Sequence, residues 1–382
     1  MTANLALQAM HVLNDGYAAC LPLLLPFVRQ ELPLTLSQIG ALGAVLNFSG
    51  IALALPAGPL AGRWGGLRLL SWAVVLYSAA FLIVGWAGGY AVLLAAFALA
   101  SLGFGIFHPV AFSAVARNSV PDELGRRMGA FTAVGDIGRI AMAAAVTALV
   151  ARIAWRPAAL SYGIVGILVG ALLVAAVSRI PAPRESGGRK RVFAPALLRN
   201  RDYLLVIATG ALDAFASSSL FLFLPFLLVE RGSSPALLGS FTGAFFLGNL
   251  LGKTALGAVV DRVGNKRVFL ISEAFMAAAV AAMAFAASLP VIVALALLVG
   301  ILSKGTVPVL GSMIADASRR DDCFEQAYGM SSFVTSVSNA VAPAVLGIAA
   351  EAFGVERVFL ICAAVALAAL VPCSLVSRPK RP

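Results

Sequence analysis

Apolar residues fall along this chain in blocks of about 20, the length a helix needs to cross a hydrocarbon core about 30 Å thick. Short connections bearing charge, Gly or Pro separate the blocks. The pattern predicts twelve membrane-spanning helices, near residues 5–28, 37–61, 69–87, 91–116, 127–152, 157–178, 202–228, 237–260, 268–288, 291–315, 327–350 and 356–376. The stretch SRIPAPRESGGRKRVFAPALLRNRD (178–202) mixes Pro, Gly and charge without a hydrophobic period, and reads as a linker. The expected organisation is therefore an N-terminal six-helix bundle (1–178), a cytoplasmic linker (179–201) and a C-terminal six-helix bundle (202–382).

Sliding the second half against the first by 199 residues uncovers a repeat. Pro26-Phe27 aligns with Pro225-Phe226, Gly40 with Gly239, Gly58 with Gly257, Pro109 with Pro308 and Ser113 with Ser312. The same offset pairs Arg63, Gly65 and Arg68 with Arg262, Gly264 and Arg267, and a one-residue slip sets DGYA (15–18) against DAFA (213–216). Two halves in the same orientation imply parallel repeats about an axis along the membrane normal.

Composition agrees with the hydropathy. The chain of 382 residues is 61% apolar and 12% charged, whereas soluble domains run at about 45–50% apolar and about 25% charged. The net charge of +11 would suit nucleic acid were it not for its placement. Twenty of the 28 Lys and Arg lie in alternate connections and five in the opposite ones. By the positive-inside rule this is a topological signal that places both termini in the cytoplasm and removes the case for nucleic-acid binding. Residues 1–28 have no basic leader region and no small-residue cleavage site, so they read as a retained first span. The four cysteines lack metal-ligand spacing and read as packing residues.

The glycine-rich links GPLAGRWGGLR (58–68) and GAVVDRVGNKR (257–267) resemble the Gly-x-x-x-Asp-Arg-x-Gly-x-Lys/Arg signature of the major facilitator superfamily. The resemblance marks Gly58, Arg63, Gly65, Arg68, Gly257, Asp261, Arg262, Gly264 and Arg267 as a gating motif. Glycines permit close approach of helices and a tight loop, and the charged residues can pair with helix ends. In the first copy Gly62 stands where the family has Asp. The fold this implies is all-α and integral to the membrane: two parallel-repeat six-helix bundles. Function would follow by alternating access to a central site.

Ionisable residues inside spans cost about 2.5–3.5 kcal/mol on insertion scales and so mark polar interiors. Here they are His11, Asp15, His108, Asp136, Arg139, Asp213, Lys253 and Lys304, while Glu273 lies a few residues from the end of its span. In the family's arrangement the first, fourth, seventh and tenth helices line the cavity and the second, fifth, eighth and eleventh help close it, which matches this distribution. Helical depth puts Asp15, Asp136, Arg139, Asp213 and Lys304 near mid-bilayer, with His108 and Lys253 nearer the cytoplasmic face. Asp15, Asp213 and His11 are the candidates for proton coupling. Asn14, His108, Asp136, Arg139, Asp213 and Lys304 are the candidates for substrate contact. Asp136 and Arg139 stand i,i+3 and either neutralise each other or meet substrate; Lys304 either lines the cavity or pairs with Asp213. Asp15 has a helix-packing alternative, and His108, preceding Pro109, has a structural one.

Two stretches, HVLNDGYAACLPLLLPFVRQELPLTLSQIG (11–40) and GFGIFHPVAFSAVAR (103–117), resemble the fosmidomycin-resistance branch of drug exporters. That branch carries His-x-Leu-Asn-Asp, Gln-Ile-Gly, and Phe-His-Pro followed by Val-Ala-Arg, matched here by His11, Asn14, Asp15, Gln38, Phe107, His108, Pro109 and Arg117. VGDIGRIAMAAAV (134–146) departs from it through Asp136 and Arg139. The proton-relay arginine of many drug antiporters is replaced by Leu99, and the exporters' Gly-Pro-x-x-Gly-Gly motif is missing from the fifth span. The resemblance implies a secondary active transporter, an antiporter exporting a small polar, anionic or drug-like molecule against protons. It would act as a monomer in a bacterial inner membrane, with the proton gradient as driving force and no cofactor or metal. Uptake of an organic acid, a metal chelate or a nutrient on the same fold is the alternative. With two histidines and no grouped nucleophile and base, the sequence gives no support to an enzyme, and no filter motif points to a channel.

Overall fold

The computed structural model describes residues 2–53, 56–117, 124–178, 195–318 and 324–377. Most of the linker lies outside the described residues. The remainder is helical: α1 (Ala3–Glu31), α2 (Leu36–Ala52), α3 (Ala57–Trp64), α4 (Gly66–Gly85), α5 (Tyr90–Arg117), α6 (Leu124–Ile153), α7 (Trp155–Val177), α8 (Arg201–Ser218), α9 (Leu220–Glu230), α10 (Pro235–Val263), α11 (Asn265–Phe285), α12 (Leu289–Ser318), α13 (Phe324–Phe353) and α14 (Val355–Leu375). A 3₁₀ turn at Pro195–Arg199 leads into α8.

These fourteen helices make the twelve spans because two spans are each built from two pieces. The second is α2 with α3. Pro56 has no N–H to give the Ala52 carbonyl four residues back, and α2 ends at Ala52. The seventh span is α8 with α9, divided at Ser219. All-helical construction is what a bilayer demands, since backbone N–H and C=O groups find no water there. Among the described residues nine segments are long and apolar enough by themselves to cross a membrane. α1 falls outside that set, and it is the helix that carries His11, Asn14 and Asp15.

The chain separates into two compact units, one comprising 1–186 with 228–243, the other 187–227 with 244–382. In the first, α4 packs on α5 and α7, α1 on α6, and α2 on α5; in the second, α11 packs on α12 and α14, and α8 on α13 and α14. The repeat seen in the sequence reappears in the backbone. Gly65 and Gly264, aligned at the 199-residue offset, both take positive φ, 84° and 90°, where an L side chain is disfavoured. Ala154 and Gly354 open the last helix of each half, also at positive φ, 65° and 89°.

Candidate functional site

In the first unit the polar side chains sit where α1, α5 and α6 meet. α1 presents His11 and Asp15 on one face because they are i,i+4, and α6 presents Asp136 and Arg139 at i,i+3. Small residues allow these faces to approach. A Cβ at Gly138 would collide with the Val12 carbonyl, and one at Gly135 would press on Asp15 Oδ2 and on His11 at 2.7 Å from Nε2. Gly16 is matched in the same way against Met142.

The result is a cluster around one carboxylate. Arg139 Nη2 lies 2.7 Å from Asp15 Oδ2 while its Nη1 donates to Asp136 Oδ1 at 2.8 Å, so one guanidinium joins acids from two helices. His11 Nε2 is 3.3 Å from Asp15 Oδ2, and His108 Nε2 is 3.4 Å from Oδ1. Asn14 Nδ2 donates to Oδ1 at 3.0 Å. The His11 ring is stacked on Phe131 at 4.0 Å and on Phe107 at 5.5 Å, which fixes its plane. Helical depth separates His108 from Asp15, but the structure corrects this by bringing the two side chains together.

Burial within the cluster is uneven. The Asp15 and Asp136 side chains are 3% and 0% exposed, whereas those of Arg139 and His108 are 21% and 25% exposed. Acids form the floor and the reachable atoms are basic. His11, Asp15 and His108 offer three ligand atoms within 4.8 Å, as a metal site would. Arg139 already sits on the same carboxylate, and a fixed positive charge there opposes a cation. Sequence reading missed Tyr77 of α4, a fully buried residue whose hydroxyl has no hydrogen-bond partner among the described residues and which lies within Coulombic reach of Asp15 and Arg139.

In the second unit Asp213 of α8 is buried, with Thr306 Oγ1 3.3 Å from its Oδ1 and Lys304 of α12 within Coulombic reach. Glu273, which the sequence placed close to the end of its span, lies on the third turn of α11, fully buried and within side-chain hydrogen-bond reach of the Asp213 carboxyl. Lys253 is half-buried on α10.

The gating-motif residues divide by role. Gly65 and Gly264 supply the turns into α4 and α11. Arg68 Nη2 donates to the Ser178 carbonyl, the C-cap of α7, at 3.1 Å. In the second copy that work passes to Lys266, whose Nζ donates to the carbonyls of Ser374 and Val376 at the end of α14, both at 2.6 Å, while Arg267 is exposed. Cations at helix C-termini meet the carbonyls that have no intrahelical partner. Arg63 and Arg262 are exposed, Gly58 has open space around it, and the side-chain positions of Gly257 and Asp261 lie outside the described residues.

The sequence matches the family model for the Major Facilitator Superfamily over residues 9–230 and 205–382. A search of curated proteins returns no match. Among solved structures, a bacterial homolog of the human lysosomal transporter Spinster, inward-facing and occupied, is similar with TM-score 0.78 and 17% identity, covering 98% of this chain and 96% of that one. The nucleoside transporter NupG, in a mutant form, is similar with TM-score 0.81 and 15% identity, covering 99% of this chain and 100% of that one. With both halves of the chain matched to one family and the fold shared with its transporters, the protein belongs to the Major Facilitator Superfamily, and is a multi-pass membrane transporter of small molecules and not an enzyme.

Proposed function

We propose that the protein is a proton-coupled antiporter that exports a small anionic or polar molecule. The observation that carries this reading is the uneven burial around Asp15: a carboxylate floor beneath an Arg139 guanidinium and a His108 imidazole that remain reachable. An anion meeting Arg139 and His108 would compete with Asp15 and Asp136 for the same donors. A substrate that at the same time donates a hydrogen bond to Asp15 excludes a proton from that carboxylate, so substrate and proton occupy the site in turn. That exchange is the elementary requirement of coupling. Asn14 and His11 hold the Asp15 carboxyl in place, and Asp213 with Lys304 supplies a second polar centre. The basic connections support a topology with both termini cytoplasmic, in a bacterial inner membrane, and the fosmidomycin-resistance motifs favour export over import. The protein works as a monomer on this reading.

Small phosphonates and carboxylates are the probes to try first, ranked by the rise in melting temperature they give the purified protein. With a ligand in hand, Asp15→Asn in proteoliposomes should retain ligand exchange across the membrane and lose accumulation driven by an imposed pH gradient. Wild-type levels of both in the variant would remove Asp15 from coupling. Comparing inverted vesicles with intact cells gives the direction.

A further inference from the structure

The second unit holds a feature that the Asp15 cluster does not explain. Glu273 is fully buried in α11, and neither of its carboxyl oxygens is met by an N–H or hydroxyl donor among the described residues. Its neighbour is another acid, Asp213 of α8, whose carboxyl lies within side-chain hydrogen-bond reach. Carboxylate oxygens only accept hydrogen bonds, so a bond between two carboxyl groups exists only when a proton lies on one of them. Two adjacent carboxylates both ionised would also repel at close range in a medium that screens poorly.

The surroundings balance one proton. Lys304 of α12 lies within Coulombic reach of Asp213, so two carboxyls, one proton and one ammonium sum to zero, and removal of the proton leaves the group at minus one. Thr306 is equipped for both states. Its hydroxyl has a single hydrogen and two acceptors in reach, the Ser303 carbonyl at 2.9 Å and Asp213 Oδ1 at 3.3 Å. It donates to Asp213 when that group is a carboxylate, and turns to Ser303 and accepts when Asp213 carries the proton. From α14, Cys373 lies within Coulombic reach of Glu273 and of Lys266, the second residue of α11. α13, which also packs on α8, carries its acids, Glu325 and Glu351, only near its two ends.

We propose that Asp213 and Glu273 form a one-proton binding site inside the second bundle, separate from Asp15, in which Glu273 is the partner that makes the proton necessary and Thr306 adapts to its presence or absence. The ligand is a proton, taken from and returned to water. The assignment goes beyond the antiport reading and depends neither on the direction of transport nor on the role of Asp15.

The test is the infrared spectrum of the purified, detergent-solubilised full chain at pH 7, in H₂O and in D₂O. Wild type should show the carbonyl stretch of a buried protonated carboxylic acid. That band should be lost in Glu273→Gln, whose amide donates to Asp213 without a shared proton, and should persist in Asp15→Asn. Carbon-13 labelling of Glu and Asp in wild type tests the point without any substitution, since the band must shift with one of the two labels. A wild-type spectrum without such a band, a band that no label shifts, or one that survives Glu273→Gln at full intensity overturns the proposal.

Discussion

Replacing Arg139 by Gln removes the guanidinium that Asp15 and Asp136 share, and the structure sets the size of the effect. Both acids are buried, and both lose a charge-assisted bond of 2.7–2.8 Å. Removing one member of a buried ion pair costs about 3–5 kcal/mol. Here the lower end applies, about 3 kcal/mol, because Arg139 is partly exposed and Asp15 keeps Asn14, His11 and His108 at 3.0–3.4 Å. At about 2–4 °C per kcal/mol, appropriate to a unit of about 200 residues, the melting temperature in detergent should fall by about 6–12 °C. The decisive measurement is the double-mutant cycle. Asp15→Asn with Arg139→Gln deletes one charge of each sign and should recover at least about 1 kcal/mol relative to Arg139→Gln alone. A single variant melting within about 2 °C of wild type would show that the network contributes packing and not charge. A double variant no more stable than the single would show that the two side chains are not coupled.

Two further outcomes follow from backbone and surface geometry. Ala154 has φ 65° and ψ 170°, a region costing a non-glycine residue about 1–3 kcal/mol, so Ala154→Gly should raise stability by about 1 kcal/mol after the entropy of glycine is subtracted, and a lowered melting temperature would contradict this. At the end of α1, beyond the apolar span, Arg156 bonds to Glu31 at 2.7 Å and Trp155 Nε1 donates to it at 2.8 Å. These partners, Arg156 foremost, hold the Glu31 carboxyl below the usual carboxylate range. A carboxyl held low in the folded protein adds stability above its unfolded pKa and loses it as pH falls through the folded value. Trp155 fluorescence, in a protein with the other tryptophans replaced, should therefore be constant from pH 8 to 6 and change below the ordinary range of about 4–4.5, and the change should vanish in Glu31→Gln.

How much of this was legible in the sequence depended on whether the signal was local. Hydropathy blocks gave the twelve spans, with α6 expected at 127–152 and found at Leu124–Ile153. The 199-residue offset paired Gly65 with Gly264, and the structure adds that both take positive φ at the turn into the next helix. The break of the second span at Pro56 and of the seventh at Ser219 was not anticipated, since hydropathy runs through both. Within the site, the spacings His11/Asp15 and Asp136/Arg139 were readable as helix faces. Their meeting was not, because it depends on Gly135 and Gly138 letting α6 close on α1, and a glycine in a sequence does not declare which helix it faces. Glu273 does stand near the end of its span, as its position implied, but its burial was not legible there: distance along a helix measures depth, and burial is decided by neighbouring helices, here α8 and α14.

Arg68 and Lys266 fasten the turns after the glycine-rich links to Ser178, Ser374 and Val376 through main-chain oxygens alone. A latch that grips peptide carbonyls is indifferent to which side chains occupy the gripped positions. Those helix ends are thus free to drift in identity while the fastening persists, and a cation one place along the chain can inherit the duty, as the change from position 68 in one copy to 266 in the other illustrates.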